Sequence, residues 1–230
     1  DTANPGAGWS TMPSLGTARR MHAVASTGDT MCAMGGKDAD RNTLASVECL
    51  SQGATAWVEV AALNTARNYH GAAAVGNVIF VMGGMGSAVS SVEALDLSAD
   101  GGRWEEKAPM PTARYNLAVA ASGTKLFAVG GIPGGDNTFD TLEIYESATD
   151  SWSTGARMPS QRQYLAAAIV GNTLFALGGT RSEEWWSDVR ATAVFAPAAG
   201  DDATRSLTRC AAASAPHSRA RGGDRRGGWH

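Results

Sequence analysis

No run of about 18 consecutive apolar residues occurs in this 230-residue chain, which excludes a membrane-spanning helix. Charge of one sign is lacking too, since 19 Lys and Arg face 22 Asp and Glu for a formal net charge of -3. Residues 200–230 hold six Arg and three Asp, a local +3, so residues 1–199 carry -6. A globally basic nucleic-acid-binding surface is thereby excluded, and basic character is confined to the tail. Cysteine is scarce: Cys32, Cys49 and Cys210 form an odd set without metal-ligand spacing. They read as small buried hydrophobes, which favours a reducing compartment and a cytoplasmic location. The chain opens at Asp1, so the lack of a signal peptide says nothing about targeting. Also missing are a Gly-x-Ser-x-Gly elbow, a Walker loop and an HExxH helix. No metal or cofactor is expected.

What is present is a clock. Gly pairs stand at Gly35-Gly36, Gly83-Gly84, Gly130-Gly131 and Gly178-Gly179, at intervals of 48, 47 and 48 residues. Trp9, Trp57, Trp104 and Trp152 keep the same intervals, and so do Arg19, Arg67, Arg114 and Arg162. Three residue types on one period define a repeat, and periods of this length mark propellers or solenoids.

Within each period the residues read as four short strands. The first is rich in small side chains: HAVAST from His22, HGAAAV from His70, LAVAAS from Leu117 and LAAAIV from Leu165. A Gly-containing tight turn follows, at Gly28-Asp29, Gly76-Asn77, Gly123-Thr124 and Gly171-Asn172. The second strand is apolar and ends in Gly-Gly; the third surrounds Glu48, Glu93 or Glu143; the fourth surrounds each Trp. Such a sheet cannot bury both faces alone, so successive sheets must stack, and radial repetition does this. The four Trp in register are assigned to packing between blades.

The Arg, the small-residue strand, the Gly-Gly, the Glu-apolar third strand and the Trp before Met-Pro together resemble the kelch repeat. MPTARYNLAVAASGTKLFAVGG, from Met110, is the clearest copy, and the resemblance runs from Trp9 to Gly179. It implies an all-β, kelch-type β-propeller of about four four-stranded antiparallel blades over residues 1–199, with repeats near 9–56, 57–103, 104–151 and 152–197. The pattern weakens in places. Leu15-Gly16 and Leu63-Asn64 stand where later repeats have Met110-Pro111 and Met158-Pro159. After Gly179 only TAVFAP, at Thr192–Pro197, offers a third strand, with no Glu before it and no Trp after it. Kelch relatives usually have more than four blades, so an incomplete ring, or one completed by further sequence, is favoured over closure through a fourth strand at Trp9. Residues 200–230, rich in Ala, Arg, Gly and Ser without apolar period, are expected to be disordered.

Strand parity places the loops after each second strand and the entrances to each first strand on one rim. These loops are the variable ones, and recognition concentrates on variable loops held by a rigid scaffold. Arg19, Arg67, Arg114 and Arg162 enter the first strands on that rim, with Arg20, Asn68, Tyr69, Tyr115, Asn116, Gln163 and Tyr164 beside them. Two readings of the arginine quartet stand: it binds a carboxylate-bearing ligand, or it ties adjacent blades together. Trp185 and Trp186, in the loop after Gly179, are candidate interface anchors. His22 and His70 share one repeat position and read as structural.

The resemblance implies a non-catalytic protein-interaction module, a substrate adaptor or scaffold, with a protein or peptide partner of acidic character and no role for nucleic acid or membrane. The alternative is a small-anion or sugar-acid enzyme of the kelch-like mutarotase type using the arginine rim. The copper-radical-oxidase set of clustered Tyr, His and Cys is not found, and in the acidic run of Glu93 and Asp96 the residue Asp100 stands where an iron-binding motif would need His.

Overall fold

The computed structural model describes residues 9, 11–87, 89–99, 102–133, 138–181 and 192–195, all within one compact unit, Asp1–Ala196. Trp185, Trp186 and the tail from residue 200 lie outside the described residues.

Among the described residues every element is a strand. Blade 1 comprises β1 (Ala23–Ser26), β2 (Thr30–Met34), β3 (Val47–Ser51) and β4 (Val58–Val60). Blade 2 comprises β5 (Gly71–Val75), β6 (Val78–Met82), β7 (Val92–Asp96) and β8 (Glu105–Lys107). Blade 3 comprises β9 (Ala118–Ser122), β10 (Lys125–Val129), β11 (Leu142–Glu146) and β12 (Ser151–Thr154). Blade 4 has β13 (Gln163–Val170), β14 (Thr173–Thr180) and β15 (Thr192–Phe195). Each blade is an antiparallel meander in chain order, four-stranded in blades 1 to 3 and three-stranded among the described residues of blade 4. First strands of successive blades touch one another, β1 with β5, β5 with β9 and β9 with β13. The innermost position therefore falls to the strands with the smallest side chains, which is what a crowded axis requires.

Between blades lie apolar cores that neither sheet could form alone. Met34 and Val47 of blade 1 pack with Ile79 and Val81 of blade 2. Met82 and Val92 then pack with Leu126 and Tyr145, and Val129 and Leu142 with Leu174 and Ala176. Two tryptophans clasp these joints: the Nε1–H of Trp104 and Trp152 donates to the carbonyls of Ala61 and Ala108 at 2.8 Å, whereas that of Trp57 donates at 2.9 Å to the Pro13 carbonyl, in the segment that precedes blade 1. Trp9 departs from the pattern. It is fully exposed, and residues 11–19 form no strand, so the fourth strand expected there is not found among the described residues.

The cysteine reading also needs correction. Cys32 stands directly opposite Cys49 in the β2–β3 ladder, and a disulfide joins them. Directly opposed residues project their side chains from the same face at close range, so two cysteines in that register can bond. Phe80 with Ala94 and Phe127 with Ile144 fill the corresponding pairs in blades 2 and 3. Both cysteines are buried, but neither is a free thiol, and the case they made for a reducing compartment falls.

Candidate functional site

The repeated arginines are not on the rim surface. Arg67 and Arg114 are wholly buried and Arg162 nearly so; the Arg19 guanidinium is also enclosed. Each side chain runs back into its own blade. Arg19 donates to the Gly35 carbonyl at 2.9 Å, to the Ser46 carbonyl at 3.0 Å and to Glu48 at 2.5 Å. Arg67 repeats this with Gly83, Ser91 and Glu93. Arg114 bonds to Gly130 and Thr141 and pairs with Glu143 at 2.6 Å. In blade 4 Arg162 donates to Gly178 and to Ser160, and Ala193 occupies the register position held elsewhere by Glu.

The glutamates in turn hold the linker entering the blade. Glu48 accepts from the Gly16 and Thr17 N–H groups and Glu93 from those of Asn64 and Thr65, while Glu143 accepts from Thr112 Oγ1. Burial opposes ionisation of Glu48, yet the bonds from Arg19, Gly16 and Thr17 outweigh it and keep its carboxyl below the usual range. Burial lowers the Arg67 and Arg114 pKa values, and the paired Glu93 and Glu143 work against that loss.

The main chain of the same arginines serves the preceding joint. The N–H groups of Gly36, Gly84 and Gly131 donate to the carbonyls of Arg67, Arg114 and Arg162 in the next blade at 2.7–3.1 Å. This close approach is why glycine is needed. The first glycine of each pair has a positive φ, and a Cβ on Gly35, Gly83 or Gly130 would lie 2.4–2.6 Å from the next arginine's carbonyl oxygen. Of the two readings of the quartet, the structure supports the architectural one: ligand contact through Arg19, Arg67, Arg114 and Arg162 is corrected, because their guanidinium groups are enclosed and bonded within the blade.

Two positions after each arginine the backbone turns left-handed. Met21, Tyr69, Asn116 and Tyr164 have φ of 57°, 56°, 56° and 55°. L-residues pay roughly 1–2 kcal/mol for this conformation. Here it aims each N–H at the equivalent carbonyl of the preceding blade, from Tyr69 to Met21, Asn116 to Tyr69 and Tyr164 to Asn116, at 2.8–3.0 Å.

That turn decides which rim residues converge. Tyr69 lies between Tyr115 and Tyr164, with ring centroids 6.3 and 6.0 Å away, in tilted and edge-on arrangements. Burial, then the neighbouring Tyr164, raises the Tyr69 pKa, with Arg20 acting the other way. Tyr164 is exposed, Tyr69 and Tyr115 are half-buried, and Arg20 faces solvent. Asn68, Asn116 and Gln163 are buried instead: Asn68 donates to Thr43 Oγ1 and Asn116 to Gln163 Oε1. They support the rim from beneath and do not present donors to a ligand. Sequence reading chose the tyrosines but could not foresee their convergence, since Tyr115 occupies a different repeat position from Tyr69 and Tyr164.

A shallow depression of 230 Å³, lined by Arg19, Arg20, Lys37 and Asp38 among others, opens on the same rim. A larger one of 630 Å³ borders β7 and β8, between Asp96, Arg103, Glu105 and Lys107, on the outer part of blade 2. It contains none of the aromatic rim residues.

Radially stacked antiparallel blades, joined by glycine pairs, tryptophan clasps and buried arginines, define a β-propeller repeat protein. The chain belongs to the kelch-repeat family: the family model described as "KLHDC2/KLHL20/DRC7 Kelch-repeats domain" matches residues 7–179. No curated protein matches the chain significantly. Kelch repeats are in general protein-interaction modules.

Proposed function

We propose that the chain is a non-catalytic recognition module that takes a peptide segment of a protein partner on the rim formed by Tyr69, Tyr115, Tyr164 and Arg20. The observation that carries this is the tyrosine cluster. Three rings that join apolar area to a polar tip are gathered on a backbone fixed by inter-blade hydrogen bonds, and rigid aromatics of this kind dominate binding energy at interfaces. Acidic preference in the partner rests on Arg20 and Lys37 rather than on the arginine quartet. The sugar-acid alternative loses the groups it required, because the quartet is engaged inside the blades.

Selection of displayed random peptides against the 230-residue chain tests this. Selected peptides should lose about tenfold or more in affinity on Tyr164→Ala. They should be unaffected by Lys125→Ala, at the start of β10 on the opposite rim, with thermal stability of both variants unchanged. Peptides that bind equally well to the Tyr164→Ala variant would refute the assignment.

A further inference from the structure

In each joint the loop between the second and third strands of one blade holds the linker that leads into the next blade. In blade 1 the Leu44 and Ala45 carbonyls accept from the N–H groups of Arg67 and Leu63 at 3.2 and 2.9 Å, and Thr43 Oγ1 accepts from Asn68 Nδ2 at 3.1 Å. Val89 and Ser90 accept in the same way from Arg114 and Met110, and Phe139 and Asp140 from Arg162 and Met158. Tyr69, the middle ring of the rim cluster, follows Asn68 directly, so the loop of blade 1 sets where that ring stands.

Blade 1 closes this loop in a way that blades 2 and 3 do not. Cys32 and Cys49 stand opposite each other just outside its two ends, and their disulfide encloses residues 33–48 in a covalent ring. The matching pairs are Phe80 with Ala94 and Phe127 with Ile144, so there a large apolar side chain packs into the joint without any cross-link. The two cysteines lie in the core shared by blades 1 and 2, with Met34, Val47, Ile79 and Val81. As free thiols they bring less apolar bulk than a pair containing Phe, and only non-covalent bonds then fasten the loop. The cross-link spans a sequence separation of 17, and closing a loop of roughly this size shifts an opening equilibrium by about a hundredfold. A reductant reaches the bond from the outer edge. Cys49 pairs with Val58 of β4, a three-residue strand on which Val58 is exposed, so lifting that edge uncovers the Cys49 sulfur.

We propose that the Cys32–Cys49 bond is a redox lock on the tyrosine rim: oxidised, it fixes the loop of blade 1 and through it Tyr69; reduced, it lets the joint of blades 1 and 2 open and weakens partner binding. This regulation rests on the reading of the rim as a recognition surface. The reductant is a dithiol. Its thiolate attacks the Cys49 sulfur, the bond to Cys32 breaks, and the Cys32 thiolate that leaves takes up a proton. The second thiol of the reductant, as thiolate, then displaces Cys49, which is protonated in turn. The protein gains a pair of electrons and a pair of protons, and the dithiol ends as its own disulfide.

Amide hydrogen exchange of the chain carrying Cys210→Ser, oxidised or held in excess dithiothreitol, tests the lock, with mass spectrometry of alkylated thiols reporting the state of the pair. The amides that bridge blades 1 and 2, those of Gly36, Leu63, Arg67 and Tyr69, should exchange about a hundredfold faster after reduction, while those of Gly84, Met110, Arg114 and Asn116 in the next joint should change by less than about twofold. A peptide selected for Tyr164-dependent binding should bind the reduced chain at least about tenfold more weakly. The double variant Cys32→Ala, Cys49→Ala should match the reduced chain and ignore dithiothreitol. A pair that stays bonded under dithiothreitol, exchange that is unchanged or equally faster in both joints, or an unchanged peptide affinity would each overturn the proposal. A chain that binds no peptide in either state would instead sink the recognition reading, and exchange at Gly36, Leu63, Arg67 and Tyr69 would still decide the lock.

Discussion

Replacing His70 by Leu should remove a defined part of the acid sensitivity of this fold. His70 begins the first strand of blade 2, while blades 3 and 4 carry Leu117 and Leu165 at the same position. Its ring packs where a Cβ on Gly35 would meet it at 2.9 Å, just as Leu117 and Leu165 lie beside Gly83 and Gly130, so leucine has a precedent in this site. Burial, followed by the charges of Arg67 and His22, lowers the His70 pKa from 6.5 to about 3. Between those values the unfolded chain binds a proton that the folded chain refuses, so stability falls as pH drops below 6.5. Each pH unit in that window is worth about 1.4 kcal/mol, which makes the loss about 2 kcal/mol at pH 5. Urea unfolding at pH 7.5 and pH 5 measures it. Wild type should lose about 2 kcal/mol more than His70→Leu between the two conditions. The variant should retain a smaller slope from His22, which burial and Arg19 also hold below its ordinary pKa. Equal pH dependence in the two proteins would refute the claim that a neutral imidazole is enclosed at this joint.

Two further predictions concern the blade framework. Glu93→Ala should cost about 3–5 kcal/mol because it leaves the buried Arg67 charge without its carboxylate. Arg157→Ala, which breaks a pair with Asp140 at a site where the arginine is 70% exposed, should cost at most about 1 kcal/mol in the same urea titration. Gly130→Ala and Gly178→Ala both place a Cβ on a left-handed backbone, but only the first drives it to 2.5 Å from a carbonyl, that of Arg162. In the same urea titration, Gly130→Ala should be the more damaging by at least about 1 kcal/mol; equal losses would refute the close-approach account.

The strands were legible because their signals are periodic and local. Gly-Gly, Trp and Arg each recur at one interval, and the small-residue runs at His22, His70, Leu117 and Leu165 mark the inner strands found as β1, β5, β9 and β13. TAVF was also readable as a third strand, β15. What escaped depends on direction and register. The arginines and glutamates were both visible as repeats, yet nothing in their spacing shows that the guanidinium turns inward, since the loop between second and third strands varies and sets their separation at 29, 26 and 29 residues. The Cys32–Cys49 bond was hidden for the same reason, needing the β2–β3 register before the pair could be seen. The left-handed turns at Met21, Tyr69, Asn116 and Tyr164 share no composition signal, because of these residues only Asn116 is of a type that favours that conformation. Tertiary bonds impose it, and the tyrosine cluster follows from them.

The arginine staple faces two ways. In blade 2, the Arg67 carbonyl receives the Gly36 N–H of the blade before it, while its side chain bonds to Gly83, Ser91 and Glu93 of its own blade. One residue thus ties each blade's third strand to the joint with the blade before it, so a defect in a third strand loosens a neighbouring interface as well as its own sheet.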